Sequence, residues 1–197
     1  MNKRVFLILL FAALGSGCVS MSYTAVAPGT VPIGDLNVTP TDSWNSAPAI
    51  ILGNSRKGSQ SWTKDGLLLD RVMIIPAVAD GETIFVSRDK SIALPTFKPD
   101  MLPNELEELV ESSLVKLFGE SNAAVNTSSL RPHRFGEDRG VLFDFEANIT
   151  DSPDYKGIVG AFIANDLLYL MIYVAAQPHY YDEHLAEASS MIESARL

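Results

Sequence analysis

The stretch GIVGAFIANDLLYLMIYVA, residues 157–175, decides the fold of this chain. It contains two apolar runs, at 157–164 and 167–175, which are joined by Asn165 and Asp166. A two-residue link of this type is used in tight hairpins between antiparallel strands. The stretch therefore predicts two strands that pair directly with one another.

Patterns upstream of this hairpin predict further strands. Apolar and polar residues alternate at 141–149 and, over a shorter length, at 36–38, which is typical of strands with one wet face. An aliphatic run at 67–75, ended by Pro76, is followed after turn residues by an alternating segment at 83–87. These two segments predict a second hairpin.

Two helices are predicted from a different periodicity. Residues 100–119 carry apolar side chains at three- and four-residue spacings, with glutamates on the flanking face. Pro103 suits the first turn of this helix, and Gly119 suits the left-handed residue that often follows a helix. A second helix is predicted at 182–195, with Asp182 as its N-cap.

The order of these elements predicts the fold class. Strands, a helix, a meander of strands and a closing helix are typical of an α+β domain, in which an antiparallel β-sheet is flanked by helices. We expect residues 35–197 to form a single domain of this kind.

Short patterns within the domain resemble known families. Three of them resemble the PsbP-type α/β/α sandwich, to which small envelope lipoproteins of the DcrB type are similar in plan: Leu36-x-Val38-x-Pro40 with Trp44, Leu167-Leu168-Tyr169-Leu170, and Ile192-Glu193-Ser194-Ala195. Three others resemble an uncharacterised group of proteobacterial lipoproteins: Trp62-Thr63-x-Asp65-Gly66, Met101-x-Pro103-x-Glu105 and His179-Tyr180-Tyr181-Asp182. The resemblance implies a non-enzymatic binding or assembly protein.

The N-terminus has the organisation of a secretory signal peptide, predicted at residues 1–17. Two basic residues precede an apolar run at 5–14, which is too short for a transmembrane helix of roughly 20 residues. Three small residues then lead to Cys18, the only cysteine of the chain. This order resembles the lipobox of bacterial lipoproteins, with Gly15 where that family usually has leucine.

The lipobox resemblance implies that Cys18 carries lipid and anchors the protein in the bacterial cell envelope. No aspartate follows Cys18, which by analogy implies sorting to the outer membrane, facing the periplasm. The membrane is therefore an expected partner. The alternative is an ordinary signal peptide that is cut at a nearby small residue, so that Cys18 is removed or left as a free thiol.

Residues 18–34 are expected to be the lipidated N-terminus and a tether. They are rich in Ser, Thr, Pro and Gly and carry no charged side chain. A flexible tether of this length would reach roughly 20–25 Å. Val26, Val31 and Ile33 could instead dock on the edge of the domain, and the sequence leaves both alternatives open.

The charge balance excludes some partners. The formal net charge is −9, and removal of residues 1–17 takes away two of 15 basic residues and none of 24 acidic ones, which leaves −11. Nucleic acid is not expected as a partner, because binding its backbone requires clustered Lys and Arg. The negative net charge also disfavours electrostatic adhesion to anionic lipid. The lipid anchor must therefore hold the protein at the membrane.

A basic island stands out in this acidic chain: Arg131, His133, Arg134 and Arg139. Clustered guanidinium groups can bind a carboxylate or phosphate in a bidentate manner. The alternative is a loop and strand entry whose arginines pair with the acidic residues of the domain. The island is the best polar candidate for a ligand site.

Aromatic residues are the second candidate. Tyr180 and Tyr181, together with other tyrosines and tryptophans, could line a groove for a peptide or glycan; the others are Tyr155, Tyr169, Tyr173, Trp44 and Trp62. Aromatic side chains are also good strand residues that fill a core between sheet and helix, which is the alternative.

The sequence predicts no metal site, catalytic residue or cofactor. His179, Asp182, Glu183 and His184 are neighbours in the chain, but the two histidines are five residues apart, and His179 is expected to precede the helix. No Gly-x-Ser-x-Gly motif and no second cysteine is present.

The sequence thus predicts a non-catalytic, membrane-anchored envelope lipoprotein that binds a partner protein or an envelope ligand. An envelope hydrolase with a site around His133 or His179 is one alternative. A passive structural or stress-related lipoprotein is another.

Overall fold

The computed structural model describes residues 22–48, 54–87, 89, 91–119 and 122–197. Cys18 and the predicted signal peptide lie outside the described residues. Within these ranges, eight strands form one antiparallel sheet in the order β1-β4-β5-β6-β10-β9-β8-β7, and β2 and β3 form a separate hairpin. The elements are β1 (Thr24–Val26), β2 (Val31–Ile33), β3 (Leu36–Val38), β4 (Trp44–Ser46), β5 (Gln60–Thr63), β6 (Asp70–Val78), α1 (Pro103–Phe118), β7 (Ala123–Phe135), β8 (Asp138–Ile149), β9 (Tyr155–Ala164), β10 (Leu167–Ala176) and α2 (His179–Glu193).

The hairpin predicted from residues 157–175 is confirmed as β9 and β10. The two strands pair without interruption from the turn to the pair Tyr155 and Ala176. Asn165 and Asp166 have φ angles of 51° and 61°, the positive values that a two-residue type I′ turn requires. Neighbouring strands pair with both, β8 with β9 and β6 with β10, so the hairpin lies inside the sheet.

The two helices cover opposite faces of the sheet. Successive residues of β10 point to opposite faces: Leu170 and Ile172 join the core beneath α1, whereas Met171 and Tyr173 join the core beneath α2. We call these surfaces the α1-side face and the α2-side face. Because both faces of the sheet are buried, β9 and β10 have continuous rather than alternating apolar sequences. The predicted α+β sandwich is confirmed.

The strand predicted at 67–75 is shifted in the structure to Asp70–Val78. Its start is displaced because Asp70, which is 1% exposed, accepts hydrogen bonds from the Thr63 hydroxyl and from the backbone N–H groups of Lys64 and Asp65. These contacts hold the preceding residues in a turn. Pro76 does not end the strand, because it lies at an irregularity where the register with β10 shifts.

The second predicted hairpin is wrong, since residues 83–87 do not form a strand. A single bridge joins Thr83 to Thr96. Ile84 and Phe85 are both buried in the core beneath α1, which the alternating faces of a strand would not permit.

The first helix matches its prediction closely, and the second begins earlier than predicted. In α1, Pro103 is the first helical residue, and the Glu105 carboxylate accepts a hydrogen bond from the Leu102 N–H at 2.7 Å. α2 begins at His179, so Asp182 is not its N-cap. Pro178 precedes it with helix-like φ and ψ angles, and proline tolerates the N-terminal end of a helix because its missing N–H needs no partner there.

Five strands have no counterpart in the prediction: β1, β2, β4, β5 and β7. β7 contains Arg131, His133 and Arg134 of the basic island, for which a loop and strand entry was the alternative, and pairs at the edge of the sheet with β8, which contains Arg139. β5 pairs with β4 and β6. β7 carries many polar residues because only part of it faces a core, whereas in the short β5 the polar Ser61 and Thr63 are buried together with Trp62.

The N-terminal segment docks on the domain, which is one of the two alternatives that the sequence left open. β1 pairs with β4 of the main sheet, and Ile33 is 2% exposed in the core beneath α2. The described residues before position 35 therefore include strands that pack on the domain. Among the described residues, no helix has the length and apolar character needed to cross a membrane.

Glu187 of α2 fixes the chain between β3 and β4. Its carboxylate accepts hydrogen bonds from the backbone N–H groups of Thr41 and Asp42, at 2.9 and 3.0 Å, and from the hydroxyl of Thr41. Burial alone would raise the pKa of Glu187, but these hydrogen bonds outweigh it and lower the pKa below its ordinary value. The carboxylate therefore stays charged while it holds this loop on α2.

Candidate functional site

The structure divides the basic island between two faces of the β7–β8 hairpin. Arg134 and Arg139 are directly opposite one another across the two strands, and Arg131 and His133 lie on the other face by strand alternation. Arg131 pairs with Asp144 at 3.3 Å, and the His133 ring lies 3.4 Å from the Glu193 carbonyl oxygen. The four residues do not converge on one ligand, and their role in binding stays a prediction.

Tyr180 and Tyr181 lie in the first turn of α2, against the core beneath that helix. The hydroxyl of Tyr173 donates to both backbone carbonyls, at 3.0 and 3.2 Å, and the rings of Tyr173 and Tyr181 stack at 5.8 Å. Burial raises the pKa of Tyr181, and the carboxylate of Asp144 raises it further. Because Arg131 pairs with the Asp144 carboxylate, Tyr181 and Arg131 lie on one surface. Arg134 and Arg139 lie on the other face of the hairpin.

One cluster could hold a metal ion among the described residues. The ligand atoms of Asp65, Glu183 and His184 lie within 4.8 Å of one another. His184 Nε2 is 2.6 Å from Asp65 Oδ2, whereas two atoms bound tetrahedrally to one zinc ion would be about 3.3 Å apart. The cluster is therefore explained as a direct hydrogen bond that ties the turn after β5 to α2.

A large cavity lies on the α1-side face, at the end of the sheet where β6 and β9 begin and β8 and β10 end. Its volume is about 1050 Å³, at the upper end of the roughly 300–1,000 Å³ of small-molecule sites. Elements that are distant in the chain contribute an apolar lining: Leu67, Met73, Phe85, Leu117, Phe118 and Val174. We call this cavity the Arg71 pocket.

Strand alternation directs Arg71 into this pocket. Arg71, Met73 and Ile75 are alternate residues of β6, and both Met73 and Ile75 belong to the core beneath α1. Arg71 also pairs with Val174 of β10, another member of that core. A guanidinium group therefore occupies a position where the rest of the face is apolar.

The guanidinium of Arg71 has no acidic partner within the described ranges of the chain. No carboxylate there forms an ion pair with it, and it donates no hydrogen bond to another described residue. Burial lowers the pKa of Arg71, with a smaller opposing effect of Tyr155. Because arginine stays protonated even so, the pocket holds a partly desolvated positive charge that no described carboxylate compensates.

The rim of the pocket exposes apolar side chains. Leu68 is 79% exposed and Tyr23 is 43% exposed, and both border the cavity. The Tyr155 hydroxyl donates a 3.0 Å hydrogen bond to the Leu68 carbonyl, which fixes the turn that carries Leu68. Exposed leucine beside an apolar cavity continues the apolar surface outward.

Arg71 was missed by the sequence analysis because residues 67–75 were interpreted as one aliphatic strand. The available signal was a charged residue inside that run. A strand that started at Asp70 would have placed Arg71 on the same face as Met73. The other walls of the pocket are brought together by tertiary contacts, for which the sequence carries no local signal.

Comparisons with known proteins concern the fold. No protein-family model matches the chain, and no curated protein sequence matches it. Its structure is similar to the solution structure of the cyanobacterial PsbP protein CyanoP from Synechocystis sp. PCC 6803, with a TM-score of 0.58 and 6% sequence identity over 93% of this chain and 98% of CyanoP. At that identity the similarity establishes the fold alone, and the domain has the PsbP-like fold that its sequence patterns predicted.

Proposed function

We propose that this chain is a lipid-anchored protein of the bacterial cell envelope, whose domain binds a small ligand in the Arg71 pocket without catalysing a reaction. The observation that carries the proposal is the pocket itself, with its volume of about 1050 Å³ and its mainly apolar lining. Concave apolar sites with a few polar groups are the usual form of small-molecule sites. The resemblance implies either a binding or an assembly protein. We propose the binding role, because the pocket is suited to a small molecule.

The envelope location is supported by the N-terminal sequence. The signal-like segment and Cys18 resemble those of bacterial lipoproteins, and the domain patterns resemble the DcrB-type group. We take the anchored form to face the periplasm from the outer membrane.

The short distance between anchor and pocket supports a role at the membrane surface. Tyr23, at the rim, follows Cys18 by only five residues. At no more than about 3.6 Å per residue, these residues span at most about 18 Å. The rim therefore cannot lie far from the bilayer when Cys18 is anchored.

Anchoring is tested by Cys18→Ser in the full chain, with Ser20→Ala as the matched control. We expect Cys18→Ser to move the protein from the membrane fraction to the periplasmic fraction, and Ser20→Ala to leave it in the membrane. Retention of Cys18→Ser in the membrane after a salt wash would contradict the lipid anchor.

Binding is tested with N-phenyl-1-naphthylamine, a neutral probe that fluoresces in apolar sites. We expect saturable binding by the full chain and its loss in Ser152→Trp, because Ser152 lines the pocket at an exposed loop position. Ser190→Trp, an exposed position on α2, is the matched control and should bind normally. If both variants bind the probe as the unchanged protein does, the pocket is not the site.

A further inference from the structure

We infer that the ligand of the Arg71 pocket is an amphiphile with one alkyl chain and an anionic carboxylate or phosphate head, which pairs with the Arg71 guanidinium. The inference rests on the proposed binding function and names the class of molecule bound. It depends on three features of the pocket: a charge that no described carboxylate pairs with, apolar walls and a position near Cys18.

The anionic head follows from the state of Arg71. A charge that is removed from water is costly unless it is paired and hydrogen-bonded, and no described carboxylate pairs with this guanidinium. A carboxylate or phosphate matches the fork of guanidinium N–H donors. The chain as a whole is strongly acidic, so an anion is attracted by this local positive charge and not by the overall field of the protein.

The alkyl chain follows from the walls. The side chains around Arg71, from Met73 and Val174 in the sheet to Leu117 and Phe118 at the end of α1, offer contact surface but no charge. A ligand that paired with Arg71 but had no apolar part would leave this surface in contact with water. One guanidinium also matches one head group.

The position of the rim indicates where such a molecule comes from. Tyr23 and Leu68 expose apolar surface at the rim, and Tyr23 lies within about 18 Å of Cys18 along the chain. Single-chain amphiphiles with anionic heads partition into bilayers and reach this rim over a short path. The pocket is suited to taking up such a molecule from the membrane surface.

The test compares dodecanoate, dodecyl phosphate and dodecanol, which share one chain length, by calorimetric titration of the full chain below micellar concentrations. We expect both anions to bind and dodecanol to bind about 10- to 150-fold more weakly, the factor expected for hydrogen bonds to a charged group. The tighter of the two anions identifies the source as a fatty acid or a phospholipid product. Decanoate should bind about 15-fold more weakly than dodecanoate, because it buries two fewer methylenes.

The variants Arg71→Met and Arg71→Lys assign the head group to this residue. Arg71→Met should lose the preference for the anions over dodecanol, and Arg71→Lys should retain part of it because it keeps the charge without the bidentate fork. Arg131→Met is the matched control, since Arg131 is paired with Asp144 and lies outside the pocket. It should leave all affinities unchanged.

The outcomes separate this inference from the proposed function. Equal binding of dodecanoate and dodecanol would overturn the anionic head while leaving binding in the pocket intact. Failure of every amphiphile and of N-phenyl-1-naphthylamine would overturn the proposed function as well. Binding of dodecanoate to Cys18→Ser but not to the lipidated protein would mean that the protein's own acyl chain fills the pocket, and would overturn uptake of a separate molecule.

Discussion

Replacing Arg71 by methionine should stabilise the ligand-free protein. The guanidinium is partly buried on the α1-side face, between apolar neighbours such as Met73 and Val174, and has no described acidic partner. Full burial of an unpaired ion costs several kcal/mol. Because Arg71 keeps some contact with water, only part of that cost applies. Methionine of similar length removes it and adds apolar contact.

We therefore expect Arg71→Met to raise the free energy of unfolding by about 1–2 kcal/mol, or the melting temperature by about 2–8 °C for a chain of this size. The assay is urea and thermal unfolding of the full chain after removal of bound amphiphile on a hydrophobic resin. Arg131→Met removes a half-exposed ion pair and should lower stability by no more than about 1 kcal/mol.

Added dodecanoate should narrow or reverse the difference in stability between Arg71→Met and the unchanged protein. At a concentration 100 times the dissociation constant it stabilises the unchanged protein by about 2.7 kcal/mol, whereas Arg71→Met, which binds more weakly, gains less. If Arg71→Met instead destabilises the ligand-free protein by more than about 1 kcal/mol, Arg71 has a structural role, and the reasoning about an uncompensated charge is refuted.

Two further predictions concern packing and pH. Gly157→Ala should cost about 1–3 kcal/mol or more by overpacking, because its Cβ would overlap the Phe145 ring and the Tyr173 carbonyl oxygen; an unchanged urea midpoint would contradict this. The pKa of Glu187 is lower in the folded protein than its ordinary value of 4.5, so its stabilising effect is complete above the unfolded pKa and is lost as pH falls through the folded pKa. Glu187→Gln should therefore lower stability at pH 6 and weaken its decline below about pH 4.5, as measured by urea unfolding across that range; parallel pH profiles would count against the role of Glu187.

The elements that the sequence predicted well are those in which local pattern and tertiary burial agree. β9 and β10 are apolar on both faces and are joined by Asn165 and Asp166, whose positive φ angles suit the turn. α1 has a clear apolar stripe and favourable residues at both ends. In these segments a short stretch of chain already contains the information that the fold uses.

Other boundaries were set by contacts between distant residues. The start of β6 depends on the hydrogen bonds of Asp70 to residues 63–65, and β7 gains its partner only when β8 pairs with it at the sheet edge. The candidate site was even less predictable. Its walls come from five strands, a helix end and loops, and Arg71 becomes distinctive only when the face around it is seen to be apolar.

The central claim is that Arg71 holds the anionic head of a molecule whose alkyl chain fills the adjoining cavity. A crystal structure of the full chain with 12-bromododecanoate tests it most directly, because anomalous scattering locates the bromine at the chain end. The account predicts carboxylate oxygens about 2.9 Å from the Arg71 guanidinium nitrogens, with the bromine inside the pocket among the side chains of Met73, Leu117 and Phe118. A bromine peak elsewhere on the domain, or a carboxylate that faces solvent away from Arg71, would contradict it.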